Sequence, residues 1–199
     1  MVSLFQAWKF RAIIASNLVG LFEAYSMSNH NIRVGLGTAA IGRPHYINLR
    51  QEAVSAFNLP EFMEKGKGVL EEAYRQGIRY FDTAPGYGIA EQLVLEWIKE
   101  KQYSDIEIAT KWGYTYTANF DPDALVHEVK KHSLSKLEEQ WSRSKNLLPQ
   151  LSSYQIHSAT FESGVLENKE VLAYLAMLKE KFGLRIGLTT SGANQGEVI

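Results

Sequence analysis

The sequence predicts an α/β protein, a parallel sheet or barrel with helices packed outside it. Short β-prone runs alternate with longer segments of helical periodicity, and those helical segments end in recognisable caps. In addition, three successive strands each finish on or beside a polar or ionisable side chain. That is the end of a parallel α/β sheet at which sites are built.

In chain order, the strands are expected at residues 32–36, 78–82, 106–111, 154–157 and 184–189. A helical segment stops at Gly77, directly before the second strand, and glycine is the usual left-handed stop. Another is expected to start at Asp121-Pro122, a capping residue followed by proline at the first helical position. It would run through Leu125, Val129, Leu134, Leu137 and Trp141 at helical spacing. The next starts near Asn168, sets Val171, Tyr174, Leu175 and Leu178 on one face, and stops at Gly183. Neither a repeat beyond this βα unit nor a low-complexity linker interrupts the chain, so residues 27–199 read as one domain.

Residues 1–26 differ from the rest. Lys9 and Arg11 precede an apolar run, residues 12–22, with Glu23 the one acid. That run is too short to span a bilayer. It faintly resembles a signal peptide; a terminal amphipathic helix, or a start assigned ahead of Met27, explains it as well. It is treated as an N-terminal extension outside the fold.

Bulk properties exclude several function classes. At 199 residues and 45% hydrophobic, the chain can bury one substantial core. A net charge of −1 gives no support for a nucleic-acid or acidic-membrane partner. The absence of cysteine removes disulfides and thiolate metal sites, which suits a cytoplasmic protein. The five histidines stand apart from any metal-binding pattern, so no metal is expected.

Alternation along the strands sorts their side chains. Glu107, Ala109 and Lys111 share one face, as do Gln155 and His157, and Ile78, Tyr80 and Asp82 align on the second strand. Asp82, Lys111 and His157 then fall at neighbouring strand ends, with Tyr87 supplied by the loop that follows Asp82. Each has a plain alternative: a snorkelling lysine, a capping aspartate, a core histidine, one of ten tyrosines. Their joint placement makes chemical sense, however. An ammonium beside a phenol stabilises the phenolate, and a carboxylate keeps that ammonium charged. The phenol can then act as general acid, while the imidazole donates a hydrogen bond to the same substrate oxygen.

These residues carry a resemblance to the aldo-keto reductases. DTAPGYGIAE, residues 82–91, is similar to that family's D-x-A-x-x-Y-G-x-x-E signature, and ATKWG and YQIHS follow in the family's order. GLGTAAIG, residues 35–42, resembles its first strand and cofactor-side loop, and HSLSKLEEQW, residues 132–141, its third helix. The resemblance covers about residues 32–199 and implies a (β/α)8 TIM-type barrel, present here as about five βα units. It implies reduction of aldehydes or ketones with NADPH (NAD being possible), or the reverse reaction on sugars. Tyr87 would be the proton donor, Lys111 its partner, Asp82 the anchor of Lys111, and His157 the orienting group. Gly37 and Thr38 would border the nicotinamide. Thr189 stands where relatives often hold the nicotinamide amide with Ser-Asn, but Thr190 lacks that amide. Trp112 would line the substrate pocket or serve as a buried packing aromatic.

GLGTAAIG is not a Rossmann loop: with glycines at 35, 37 and 42, Ala40 stands where the third should be. A complete barrel of this type runs to roughly 250 residues. Counting units gives five strands, with ANQGEVI expected inside the first turns of a fifth helix. The family's adenine and 2′-phosphate contacts lie in later units, so a truncated or split reductase is expected, the alternatives being a non-catalytic member of the fold that binds cofactor or a partner protein, or a nonfunctional fragment. These 199 residues alone should bind NADPH poorly, which micromolar affinity by fluorescence titration would contradict. The first and fifth strands would be bare edges open to self-association. Glu107 and Arg185 are expected to form a buried pair inside the barrel.

Overall fold

The computed structural model describes residues 34–43 and 57–198. The N-terminal extension and the start of the first strand lie outside these residues. Five parallel strands form one sheet in the order β1 (Gly35–Gly37), β2 (Tyr80–Asp82), β3 (Glu107–Trp112), β6 (Leu151–Ala159), β7 (Arg185–Thr190). Between β3 and β6 the chain makes an antiparallel hairpin, β4 (Tyr114–Tyr116) with β5 (Glu128–Lys130). The helices are a single turn α1 (Ala39–Gly42), then α2 (Leu59–Arg75), α3 (Ala90–Lys101), α4 (Leu134–Ser144) and α5 (Lys169–Phe182). Among the described residues, no helix is long and apolar enough to cross a membrane.

Local signals explain most boundaries. Asn58 caps α2 by accepting from the Glu61 N–H at 3.3 Å, and Gly77 (φ 91°) turns the chain into β2. Asn168 caps α5 by accepting from the Val171 N–H at 3.2 Å, and Gly183 (φ 69°) ends it, both as expected. Val171, Leu175 and Leu178 are buried. Trp141 of α4 packs against both Tyr154 and Phe182, with ring centroids 5.2 Å apart in each case, joining two helices to the sheet.

Two expectations about secondary structure are corrected. The helix expected from Asp121-Pro122 starts instead at Leu134, where Ser133 accepts from the Lys136 N–H at 3.3 Å. Asp121 caps a turn, its carboxylate accepting from the Asp123 N–H at 2.9 Å. An Asx turn and a helix N-cap share the same residue preference, and burial decided between them: Leu125 is fully exposed. After β7, the expected fifth helix is a single 3-10 turn, Gln195–Glu197.

The Glu107–Arg185 pair exists at 2.7 Å, but it is not buried: the two side chains are 40% and 62% exposed. β1 and β7 each have one neighbour in the described sheet, so its inner face is not closed over by opposing strands. Replacing Arg185 by methionine should therefore change unfolding free energy by less than about 1 kcal/mol, measured by urea titration. A loss of several kcal/mol would show a pair that is shielded after all.

Candidate active site

Asp82, Lys111, Tyr87 and His157 come together at the C-terminal end of the sheet. Register places them: Gly37 pairs with Asp82, Asp82 with Ala109, and Lys111 with Gln155, two residues before His157. Thr38 fixes the backbone at Asp82, its N–H and its hydroxyl both donating to the Asp82 carbonyl at 2.9 Å.

The Lys111 ammonium is nearly sealed from water, the residue being 4% exposed. It donates to Asp82 Oδ1 at 2.7 Å, to Oδ2 at 2.5 Å and to the Thr83 carbonyl at 3.1 Å. Burial pulls its pKa below the ordinary lysine value, and the Asp82 carboxylate opposes that pull. The same ammonium lies 4.8 Å from the centroid of the Tyr87 ring.

Tyr87 sits in a tight turn, its N–H donating to the Ala84 carbonyl at 2.9 Å. Two glycines let that turn press against α1. A Cβ on Gly42 would lie 2.1 Å from the Tyr87 carbonyl oxygen, and one on Gly88 (φ 65°) would lie 2.3 Å from the Gly42 carbonyl oxygen. The glycine at 42 thus serves a backbone approach rather than a phosphate loop. Gly88→Ala should cost about 2–4 kcal/mol, from a left-handed Cβ plus a backbone clash. Thermal unfolding reads this; an unchanged midpoint would show that the two loops can separate freely.

The His157 ring meets Tyr87 edge-on at 5.5 Å (89°) and Tyr114 at 4.8 Å (61°). Burial, and then the Lys111 charge, lower its pKa to about 3, so the imidazole is neutral at ordinary pH. Among the described residues, its Nδ1 is buried without a hydrogen-bond partner.

The remaining expected residues fall differently. Gly37 lies at the exposed end of β1, with nothing among the described residues within 4 Å of where a Cβ would be. Thr38 is fully buried, with its hydroxyl proton committed to Asp82. The Thr189 hydroxyl accepts from the Ser158 N–H at 2.8 Å. Trp112 is fully buried and meets His132 at 5.3 Å, so of its two possible roles the structure supports packing.

Sequence reasoning missed Arg43, Tyr114 and His132. Arg43 Nη1 donates to Glu128 of the hairpin at 2.7 Å, and its guanidinium carbon lies 5.9 Å from the Tyr87 centroid. Tyr114 follows Lys111 by three residues and carried a signal in its nearness; Arg43 and His132 carried none, because their partners are remote in sequence.

Asp82, Lys111 and His157 thus stand toward the C-terminal ends of neighbouring parallel strands, with Tyr87 in the loop that follows Asp82. The chain belongs to the aldo/keto reductase family, whose model matches residues 33–184. It is 28% identical over 137 residues to the uncharacterised oxidoreductase YqkF of Bacillus subtilis, an alignment covering 65% of this chain and 42% of that protein. Among solved structures, a Pseudomonas aeruginosa protein assigned to the aldo-keto reductases superposes with TM-score 0.59 at 27% identity, covering 81% of this chain and 57% of the other. A glycerol dehydrogenase from Gluconobacter oxydans shares the fold with TM-score 0.61 at 22% identity, covering 83% and 47%. The five-stranded sheet is thus part of a (β/α)8 barrel, as the sequence predicts, and the chain spans about half the length of these relatives.

Proposed function

We propose that this chain carries the proton-transfer side of a nicotinamide-dependent carbonyl reduction, with NADPH as the cofactor and an aldehyde, ketone or sugar as the substrate. The observation that supports it best is the Lys111 ammonium, which binds both carboxylate oxygens of Asp82 while lying 4.8 Å from the Tyr87 ring. Tyr87 is the general acid, giving its phenolic proton to the substrate oxygen. Lys111 stabilises the phenolate left behind, and Asp82 keeps Lys111 charged against its burial. Neutral His157 orients the substrate: with Nδ1 sealed and unpartnered, the proton belongs on Nε2, which can donate to the carbonyl oxygen.

The residues present fit the nicotinamide end of the cofactor. Gly37 leaves open space beside Asp82, and Thr189 keeps a hydroxyl proton to donate after accepting from Ser158. Thr38 fits less well, being buried with its proton in use. When bound, the nicotinamide supplies the hydride to the carbonyl carbon.

The test is NADPH consumption against a panel of aldehydes and ketones, with sugar oxidation in reverse, by protein whose NADPH binding has been measured separately. Turnover of at least one class is expected. Protein that binds NADPH but turns over no member of either panel would overturn the proposal.

A further inference from the structure

The strand bearing His157 does not run straight. Ile156 pairs with Leu188 and Ala159 with Thr190, so His157 and Ser158 together face the single residue Thr189. This is a β-bulge, a device that re-aims side chains beside sites. Ser158 has φ 56°, a conformation that few non-glycine residues adopt. The flanking Ile156 and Ala159 stay in the core at 3% and 0% exposure, so the extra residue is absorbed without unpacking either side.

A bulge disturbs the ladder, and the polar ends of the displaced peptide need other partners. Here both ends of one peptide unit are met by side chains. The carbonyl of His157 lies 2.9 Å from His132 Nε2, and the N–H of Ser158, on the other end of that unit, donates to Thr189 Oγ1 at 2.8 Å. A carbonyl oxygen only accepts, so His132 carries its proton on Nε2. His132 is itself held in place. It lies edge-on to Trp112 at 5.3 Å, and Gly113 makes room for it, since a Cβ there would come within 2.4 Å of the imidazole.

We propose that His132 and Thr189 clamp the His157–Ser158 peptide from its two ends, and that this clamp sets the direction of the His157 ring toward Tyr87. Both are positioning residues, acting through His157. The kinetic consequence rests on the carbonyl-reduction reading; the clamp itself does not. Because the hydroxyl of Thr189 accepts in the clamp, its own proton remains available to the cleft. One residue thereby serves strand and site together.

The experiment compares His132→Leu and Thr189→Val, which remove one hand each, with His132→Gln and Thr189→Ser, which retain a donor and an acceptor. In the full chain, His132→Leu should lower kcat by about 3–10-fold while His132→Gln stays within about twofold of the parent; the Thr189 hydroxyl also faces the cofactor, so the Thr189 variants are read by NMR on cofactor-free protein. KM for NADPH should hold steady in the His132 variants. The Leu–Val double variant should displace the His157 resonances little further than the larger single change, since both ends secure one peptide. Independently of turnover, the His157 imidazole NMR resonances should shift in the Leu and Val variants and not in Gln or Ser. Parent-like resonances in either Leu or Val would overturn the clamp, as would parent-like kcat in His132→Leu or fully additive resonance shifts in the double variant. A parent that binds NADPH yet reduces nothing would sink the reaction, leaving the resonances to judge the clamp. If His132→Leu does not fold, the Thr189 pair decides.

Discussion

Replacing Tyr87 by phenylalanine should lower turnover by about 10²–10⁴-fold, the range that positioned acid catalysis supplies. The change removes one oxygen and keeps the ring, so its contacts with Lys111 at 4.8 Å and His157 at 5.5 Å need not move. The melting temperature should therefore shift little, and the KM for cofactor should be nearly unchanged, because the phenol is needed only as the substrate oxygen gains charge. A kcat within threefold of the parent, in a variant shown to be folded, would remove Tyr87 from the reaction and return Asp82–Lys111 to a structural ion pair. The control is Tyr114→Phe. Its ring also meets His157, at 4.8 Å, but the ammonium over it is that of Lys130, at 5.9 Å, which donates to Thr160 rather than to Asp82, so a far smaller effect is expected.

The second large effect is on stability in acid. His157 has a folded pKa of about 3, below its ordinary 6.5, first because it is buried and then because the Lys111 charge is near. Between these two values the unfolded chain binds more protons than the folded one, so stability rises with pH across that window and falls as pH drops through it. The contribution should reach about 2–3 kcal/mol at pH 4.5, and about 3–5 kcal/mol by pH 3, at 1.36 kcal/mol per pK unit. Carboxylates titrate there too, so the measurement is a difference. Urea unfolding of the parent and of His157→Gln from pH 7 to 4.5 cancels the shared groups. The parent should lose stability more steeply, and parallel curves would show that the imidazole is not shielded.

Much of this was legible in advance for a local reason. Gly77, Asn168 and Gly183 mark helix ends because each satisfies, or bends around, groups within four residues of itself. Strand alternation then sorted Lys111 from Thr110 and His157 from Ile156. The same local logic failed at Asp121-Pro122, where a turn and a helix start ask for the same residues.

The sequence by itself determined the order of βα units, the stop at Gly77 and both ends of α5, and the arrival of Asp82, Lys111 and His157 at successive strand ends with Tyr87 in the loop after the first. Residue type and spacing encode those features, and no distant neighbour is required. Tertiary structure alone decided which polar groups found partners. Arg43 meets Glu128 across 85 residues, Ser158 meets Thr189 across 31, and His132 meets His157 across 25. It also decided that Trp112 is sealed in the core and that Arg185 stands in solvent beside Glu107. Burial and hydrogen-bond satisfaction are set by what lies across space, which spacing along a chain does not record.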